Sequence, residues 1–153
     1  MSTIYIAGIA MTVFGRHLER SLDDLAREAL DGALADAGCG RTELGMAFYS
    51  GMTNGPLQGQ HSIPGQVVFS KIGIEGIPIY NIENACASGS SAFNLAVQCL
   101  KGGTTDVALA LGAWQPAAAQ DKGTIYYMIP TLLDEFQTET QKAIEGVFGD
   151  MGY

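Results

Sequence analysis

Strand-length apolar runs alternate along this chain with stretches of helical periodicity, and few architectures accommodate that order. Ile4-Tyr5-Ile6-Ala7-Gly8-Ile9 is the first apolar run, closed by a turn at Phe14-Gly15-Arg16. Ser21 then stands as an N-cap, with Asp24 three residues on completing a weaker form of the capping box. Leu22, Leu25, Ala26, Ala29, Leu30, Ala33, Leu34 and Ala37 recur at helical spacing, with Asp23, Arg27, Asp31 and Asp36 largely on the other face, and Gly38 stops the helix. Met46-Ala47-Phe48-Tyr49-Ser50 reads as a second strand and residues 51–60 as a polar, Gly-rich loop. A helix over 63–72, a strand over 76–82, a helix carrying Ala92, Phe93, Ala96, Val97 and Leu100 up to Gly102-Gly103, and a strand over 106–112 follow. The last strand is almost wholly apolar, as a strand covered on both faces must be. Such runs separated by helices predict an α/β fold whose sheet is mostly parallel, with right-handed crossovers.

Cys86 lies in Asn81-Ile82-Glu83-Asn84-Ala85-Cys86-Ala87-Ser88-Gly89-Ser90, where an apolar strand turns into a long helix. The first N–H groups of a helix lack intrahelical partners and carry positive partial charge, so a thiolate at such a junction is stabilised and can act as a nucleophile. Nucleophiles in parallel α/β sheets sit where strand carboxyl ends meet helix N-termini. The small residues Ala87, Ser88, Gly89, Ser90 and Ser91 are poor helix formers as a group, and what they offer is room for a close backbone or substrate. The competing reading is a buried structural cysteine among small packing residues.

Pro78-Ile79-Tyr80-Asn81, Asn84, Cys86-Ala87 and Gly89-Ser90 with Ala92 resemble the nucleophile segment of thiolases, most closely the sterol-carrier-protein-type branch, which includes acetyl-CoA acetyltransferases. Ketosynthases differ by an acidic residue and a Thr before Ala-Cys-Ser-Ser. The similarity runs from the N-terminal apolar stretch to Val147-Phe148-Gly149 and covers only the first part of a thiolase of ordinary length. It implies a thiolase-like fold, one half of a layered α-β-α-β-α architecture with a mostly parallel mixed sheet. Residues 1–114 would form the N-terminal core half, and 115–153 the start of the loop domain that covers the active site and helps hold coenzyme A. A helix over 131–147, with Leu132, Leu133, Phe136, Thr140, Ile144 and Val147 on its apolar edge, falls in that second part. Tyr126, Tyr127 and Phe136 there read as packing residues.

The resemblance further implies that Cys86 is the catalytic nucleophile of an acyl-CoA C-acyltransferase, forming an acyl-cysteine in thiolysis of 3-ketoacyl-CoA or in Claisen condensation. Its backbone N–H is a candidate oxyanion donor. Coenzyme A thioesters would be substrates, with no bound cofactor and no metal. Thiolases draw their Gly-His-Pro histidine, their Cys-x-Gly cysteine and an Asn-Glu or His-Asp segment from the C-terminal half, and neither Gly-His-Pro nor Cys-x-Gly-x-Gly occurs in these 153 residues. The chain is therefore expected to be inactive without a C-terminal thiolase half, as a split subunit or as a piece of a longer protein. A homodimer or hetero-oligomer through the 78–82 strand is implied as well. The alternatives are a thiolase-like aldolase or ketosynthase-like condensing subunit working with a zinc-ribbon/OB-fold partner, and a non-catalytic scaffold subunit.

Composition narrows the rest. A hydrophobic content of 47% over 153 residues suffices for one core of ordinary size. The formal net charge of −8, with eight basic residues and no basic run, disfavours nucleic acid or an anionic membrane surface as partner. Three cysteines without a C-x-x-C pair argue against a disulfide framework or zinc site and suit a reducing compartment. With no secretory pattern and no apolar stretch near about 18 residues, a cytoplasmic protein without a membrane span is expected. Cys39 and Cys99 read as structural, Asp23 and Asp24 as helix-start electrostatics, and His17 and His61 lack metal-ligand spacing. No dinucleotide, P-loop or G-x-S-x-G motif is present.

Overall fold

The computed structural model describes residues 3–15, 17, 19–51 and 54–112. Its regular elements are α1 (Leu22–Ala37), a 3₁₀ turn (Arg41–Glu43), β1 (Met46–Ser50), α2 (Asn54–Gln58), α3 (Pro64–Lys71), β2 (Ile79–Ile82), α4 (Ser88–Lys101) and β3 (Ala108–Gly112). The strands form a three-stranded sheet in the order β2-β1-β3, and both pairings are parallel. Ser50 of β1 lies level with Ile82 of β2 and with Gly112 of β3, so the carboxyl ends of the strands share one edge of the sheet.

Side-chain alternation along the strands builds two cores. Ala47 and Tyr49 face α1 and α3 and pack with Leu30, Leu34, Phe69 and Leu111, while Met46 and Phe48 face the other way onto Ala92 and Ala96 of α4. Every residue of β1 is buried, as its central position requires. Helices thus cover both faces, in agreement with the α/β class read from the sequence.

Helix α1 begins and ends as its sequence demands. The Asp24 N–H donates to the Ser21 hydroxyl at 3.1 Å, and the Asp24 carboxylate accepts from the Ser21 N–H at 3.2 Å and from its O–H at 2.8 Å. Those two donors hold the Asp24 carboxyl below its ordinary value. Gly38 closes the helix at φ +66°, a left-handed conformation that costs glycine little.

Helix α4 lies on the sheet through Ser88, Ala92 and Ala96, spaced four residues apart and all buried. Ala92 and Ala96 belong to the expected stripe, whereas Ser88 joins it and Phe93 turns outward. Phe93 is 44% exposed and Leu95 42%, because the close approach of α4 to β1 and β3 admits only small side chains. Ala92→Leu would insert three carbons into that contact and is expected to destabilise the fold by about 1–3 kcal/mol, measured as a lowered urea midpoint at unchanged slope.

Four further expectations are corrected. The run Ile4–Ile9 is not a strand; it crosses α1, with the Ile9 N–H donating to the Asp36 carboxylate at 2.8 Å. A Cβ on Gly8 would fall 2.3 Å from the Ala33 carbonyl oxygen, so only glycine permits that approach. Among the described residues no strand pairs with the run, and Tyr5, Ile6, Ile9, Met11, Val13 and Phe14 stay exposed. Residues 51–60, expected as loop, contain the short helix α2, whose five residues are too few to show a period. The strand over 76–82 shortens to Ile79–Ile82, leaving Pro78 outside it, and the strand over 106–112 begins at Ala108. The expected helix over 131–147 and the loop-domain start at 115–153 lie outside the described residues.

Candidate active site

Cys86 follows the carboxyl end of β2 and precedes the first residue of α4 by two positions, so it stands just outside the helix rather than in its first turn. Its residue is exposed. The turn that carries it is held almost entirely by its neighbours. The Ala87 N–H donates to the Asn84 carbonyl at 2.9 Å and the Ser88 N–H to the Ala85 carbonyl at 3.1 Å. The Ser88 hydroxyl, buried at 3% exposure, accepts from the Asn84 N–H and donates to the Ala85 carbonyl, both at 2.7 Å. The Glu83 carboxylate takes the Ala85 N–H at 2.9 Å, and the Asn84 side-chain amide donates to the Ser91 hydroxyl at 2.9 Å. Among the described residues, the Cys86 N–H meets no acceptor.

Ala85 sits at φ +45°, left-handed territory that costs a residue with a Cβ roughly 1–2 kcal/mol. The turn's hydrogen bonds offset that cost. The result is a strand-to-helix corner in which Cys86 stands between the carboxyl end of β2 and the start of α4.

The strand bearing this corner is fixed from both sides. Toward the interior, β2 pairs with β1, and the Phe48 and Tyr80 rings stack at 5.3 Å. On its outer edge, Gln66 of α3 donates to the Ile79 carbonyl at 3.1 Å, and Asn81 accepts from the Gly65 N–H at 2.6 Å while donating to Gln66 at 2.7 Å. Gly65 is required there, since a Cβ would meet the Tyr49 Cβ at 2.6 Å. At the carboxyl edge of the sheet the buried Ser50 hydroxyl donates to the Leu111 carbonyl at 3.3 Å, tying β1 to β3.

Beside Ser50, the Tyr49 hydroxyl donates to the Asn54 side-chain oxygen at 3.1 Å and the Asn54 amide donates back at 2.8 Å, anchoring α2. Burial pushes the Tyr49 phenol up to about 12, with Asn54 opposing. Because the folded value lies above the ordinary value of 10.0, the contribution to stability is intact below pH 10 and is lost as pH rises from 10 to 12. Tyr49→Phe is expected to cost about 1–3 kcal/mol at neutral pH by orphaning the buried Asn54. The gap to the parent should narrow above pH 10, where only the parent is weakened, and urea unfolding against pH reads both.

The other candidates stay apart from this corner chemistry. Cys39 and Cys99 are partly buried, each packed against a core cluster. Asp23 pairs with Lys71 at 2.9 Å while Asp24 caps α1, so the adjacent carboxylates serve different partners. His61 lies against Gly55, whose hypothetical Cβ would fall 2.7 Å from its Nδ1, and His17 approaches the Val13 carbonyl at 2.7 Å. Among the described residues no group of His, Cys, Asp and Glu could hold a metal, and no helix is long and apolar enough to cross a membrane. Sequence reading missed Ala85 and Ser88, since neither a left-handed alanine nor a buried helix-start serine has a local signature.

A family model described as the thiolase N-terminal domain matches residues 4–125. The chain belongs to the thiolase family. It is 37% identical over 111 residues to sterol carrier protein 2 of Gallus gallus, covering 71% of this chain and 19% of that protein. The benzoylsuccinyl-CoA thiolase subunit BbsB of Thauera aromatica is 36% identical over 125 residues, covering 80% and 31% respectively. An acetyl-CoA acetyltransferase of Methanothermobacter thermautotrophicus is 30% identical over 112 residues, covering 73% and 29%. The chain therefore spans between 19% and 31% of the length of these relatives. Among solved structures, 3-oxoacyl-[acyl-carrier-protein] synthase III from Aquifex aeolicus VF5 has a TM-score of 0.51 at 20% identity, covering 63% of this thiolase chain and 30% of the synthase. That likeness establishes a common fold.

Proposed function

We propose that this chain is the nucleophile-bearing N-terminal part of a thiolase-type acyl-CoA C-acyltransferase, with Cys86 as the residue that carries the acyl group. The observation behind this reading is an exposed cysteine in a strained corner, beyond the carboxyl end of a parallel strand, in a chain of the thiolase family.

In thiolysis, the Cys86 thiolate adds to the 3-keto carbon, forming the C–S bond and a tetrahedral oxyanion. Collapse of that oxyanion breaks the bond between C2 and C3: the CoA-bearing C1–C2 fragment leaves as its enolate, which takes up a proton, and the shortened acyl chain stays on Cys86. Coenzyme A thiol then displaces Cys86 from the acyl-cysteine, and the thiolate is regenerated. The condensing direction is the reverse, with a carbanion displacing Cys86. The Cys86 N–H is assigned as one oxyanion donor, because the Ala87 and Ser88 N–H groups are already engaged within the turn.

Proton transfer needs further groups, and the reading assigns them to a C-terminal thiolase half carrying Gly-His-Pro and Cys-x-Gly. The edge strand Ile79–Ile82 is assigned to the dimer or hetero-oligomer contact, since among the described residues it pairs with a strand on one side only. The substrate is an acyl-CoA thioester, no cofactor is bound, and the working compartment is the reducing cytoplasm. Incubation with acetyl-CoA and with a 3-ketoacyl-CoA, with and without a candidate C-terminal partner, tests the assignment by mass spectrometry of Cys86. An adduct on Cys86, with turnover only when the partner is present, is the expected result. A scaffold subunit would give neither.

A further inference from the structure

The corner at Cys86 contains one polar group whose burial the proposed chemistry does not by itself explain. Ser88 is 3% exposed, and among the described residues the hydrogen bonds of its hydroxyl do not include the thiol. Both of its hydrogen bonds go to the two residues before the cysteine, Asn84 N–H and Ala85 C=O, each at 2.7 Å. Between them stands Ala85 at φ +45°, the one residue of the turn in a conformation its side chain opposes. Cys86 contributes no hydrogen bond of its own to the turn among the described residues, so its direction is set by the residues that flank it.

We infer that Ser88 is a positioning residue for the nucleophile: its hydroxyl locks Ala85 in the left-handed conformation that presents Cys86 at the carboxyl end of β2. The inference rests on the reading of Cys86 as the acyl-carrying residue. Without the hydroxyl, Asn84 N–H and Ala85 C=O lose a buried partner and Ala85 relaxes toward negative φ, which swings the following thiol. A glycine at position 85 adopts positive φ without steric cost and so makes the lock dispensable.

The test compares the parent, Ser88→Ala, and Ser88→Ala combined with Ala85→Gly, in the assembled enzyme. Three quantities are read: the rate of Cys86 acylation by an acyl-CoA, the rate of Cys86 alkylation by iodoacetamide, and hydrogen exchange at the Asn84 amide. Acylation demands a defined approach to a thioester, whereas a small alkylating agent needs only an accessible thiol. Ser88→Ala should slow acylation about tenfold or more, the scale set by losing two part-buried hydrogen bonds, and leave alkylation within about twofold. Asn84 exchange should accelerate about tenfold, and adding Ala85→Gly should restore most of the acylation rate. Equal losses in acylation and alkylation, no rescue by glycine, or unchanged Asn84 exchange would overturn the inference. A parent protein that is alkylated but never acylated would instead overturn the nucleophile reading, and Asn84 exchange would still decide whether Ser88 holds the turn.

Discussion

Cys86→Ala is expected to abolish the covalent acyl adduct and to lower turnover of the assembled enzyme by about a thousandfold or more, as removal of a nucleophile does elsewhere. The fold should be indifferent to the change. Cys86 is exposed and makes no hydrogen bond among the described residues, so stability should move by no more than about 0.5 kcal/mol. Loss of turnover at constant melting temperature separates a chemical role from a structural one. A variant that turns over at the parental rate would show that the thiol takes no part in the reaction. A variant that unfolds would show that the residue is a packing element after all, which its exposure argues against.

Phe69→Ala is expected to have the largest effect on stability, about 3–5 kcal/mol. Phe69 is fully buried between α3 and the sheet and meets the Tyr49 ring edge-to-face at 5.9 Å and 83°. Because whole domains are stable by only about 5–15 kcal/mol, most of the folded population would be at risk near physiological temperature. The loss should also reach the site. Helix α3 carries Gly65 and Gln66, which hold the outer edge of β2 through Asn81 and the Ile79 carbonyl. Loosening α3 therefore loosens the strand that leads to Cys86. Urea unfolding measures the first effect and the acylation rate, taken well below the unfolding transition, measures the second. A stability loss under about 1 kcal/mol would mean that α3 is not anchored through Phe69.

The parts of the fold legible in the sequence were those governed by local rules. Ser21, Asp24 and Gly38 mark both ends of α1 because capping groups and a left-handed stop act within a turn of themselves. The apolar stretch Met46–Ser50 read as a strand, which it is, whereas the still more apolar last strand, read as covered on both faces, has only Leu111 buried. Long-range geometry decided the rest. The run at Ile4–Ile9 has strand composition, yet pairing requires a neighbour, and among the described residues none lies alongside. Helix α4 presents Ser88, Ala92 and Ala96 to the sheet rather than its largest residues, because the spacing between layers, invisible in a single sequence, admits only small ones.

The candidate site divides in the same way. Cys86 was legible because a cysteine at a strand-to-helix junction among small residues carries its chemistry in its position. Ala85 and Ser88 were not. A left-handed conformation is ordinarily announced by glycine, and here an alanine is held in it by a serine three residues on. Only the folded turn brings that pair together. Sequence reading also placed the cysteine against the helix start in general terms, whereas α4 begins two residues later, at Ser88, leaving the thiol at the corner itself.

The central claim, that Cys86 becomes acylated, is tested most directly by locating the modification. The chain, alone and together with its C-terminal partner, is incubated with acetyl-CoA and with a 3-ketoacyl-CoA, quenched in acid and mapped by peptide mass spectrometry. The predicted result is an acyl mass on the peptide containing Cys86 that is discharged by added coenzyme A, with Cys39 and Cys99 unmodified. An acyl group found only on another residue, or unmodified Cys86 under conditions where the assembled enzyme turns over, would contradict the account.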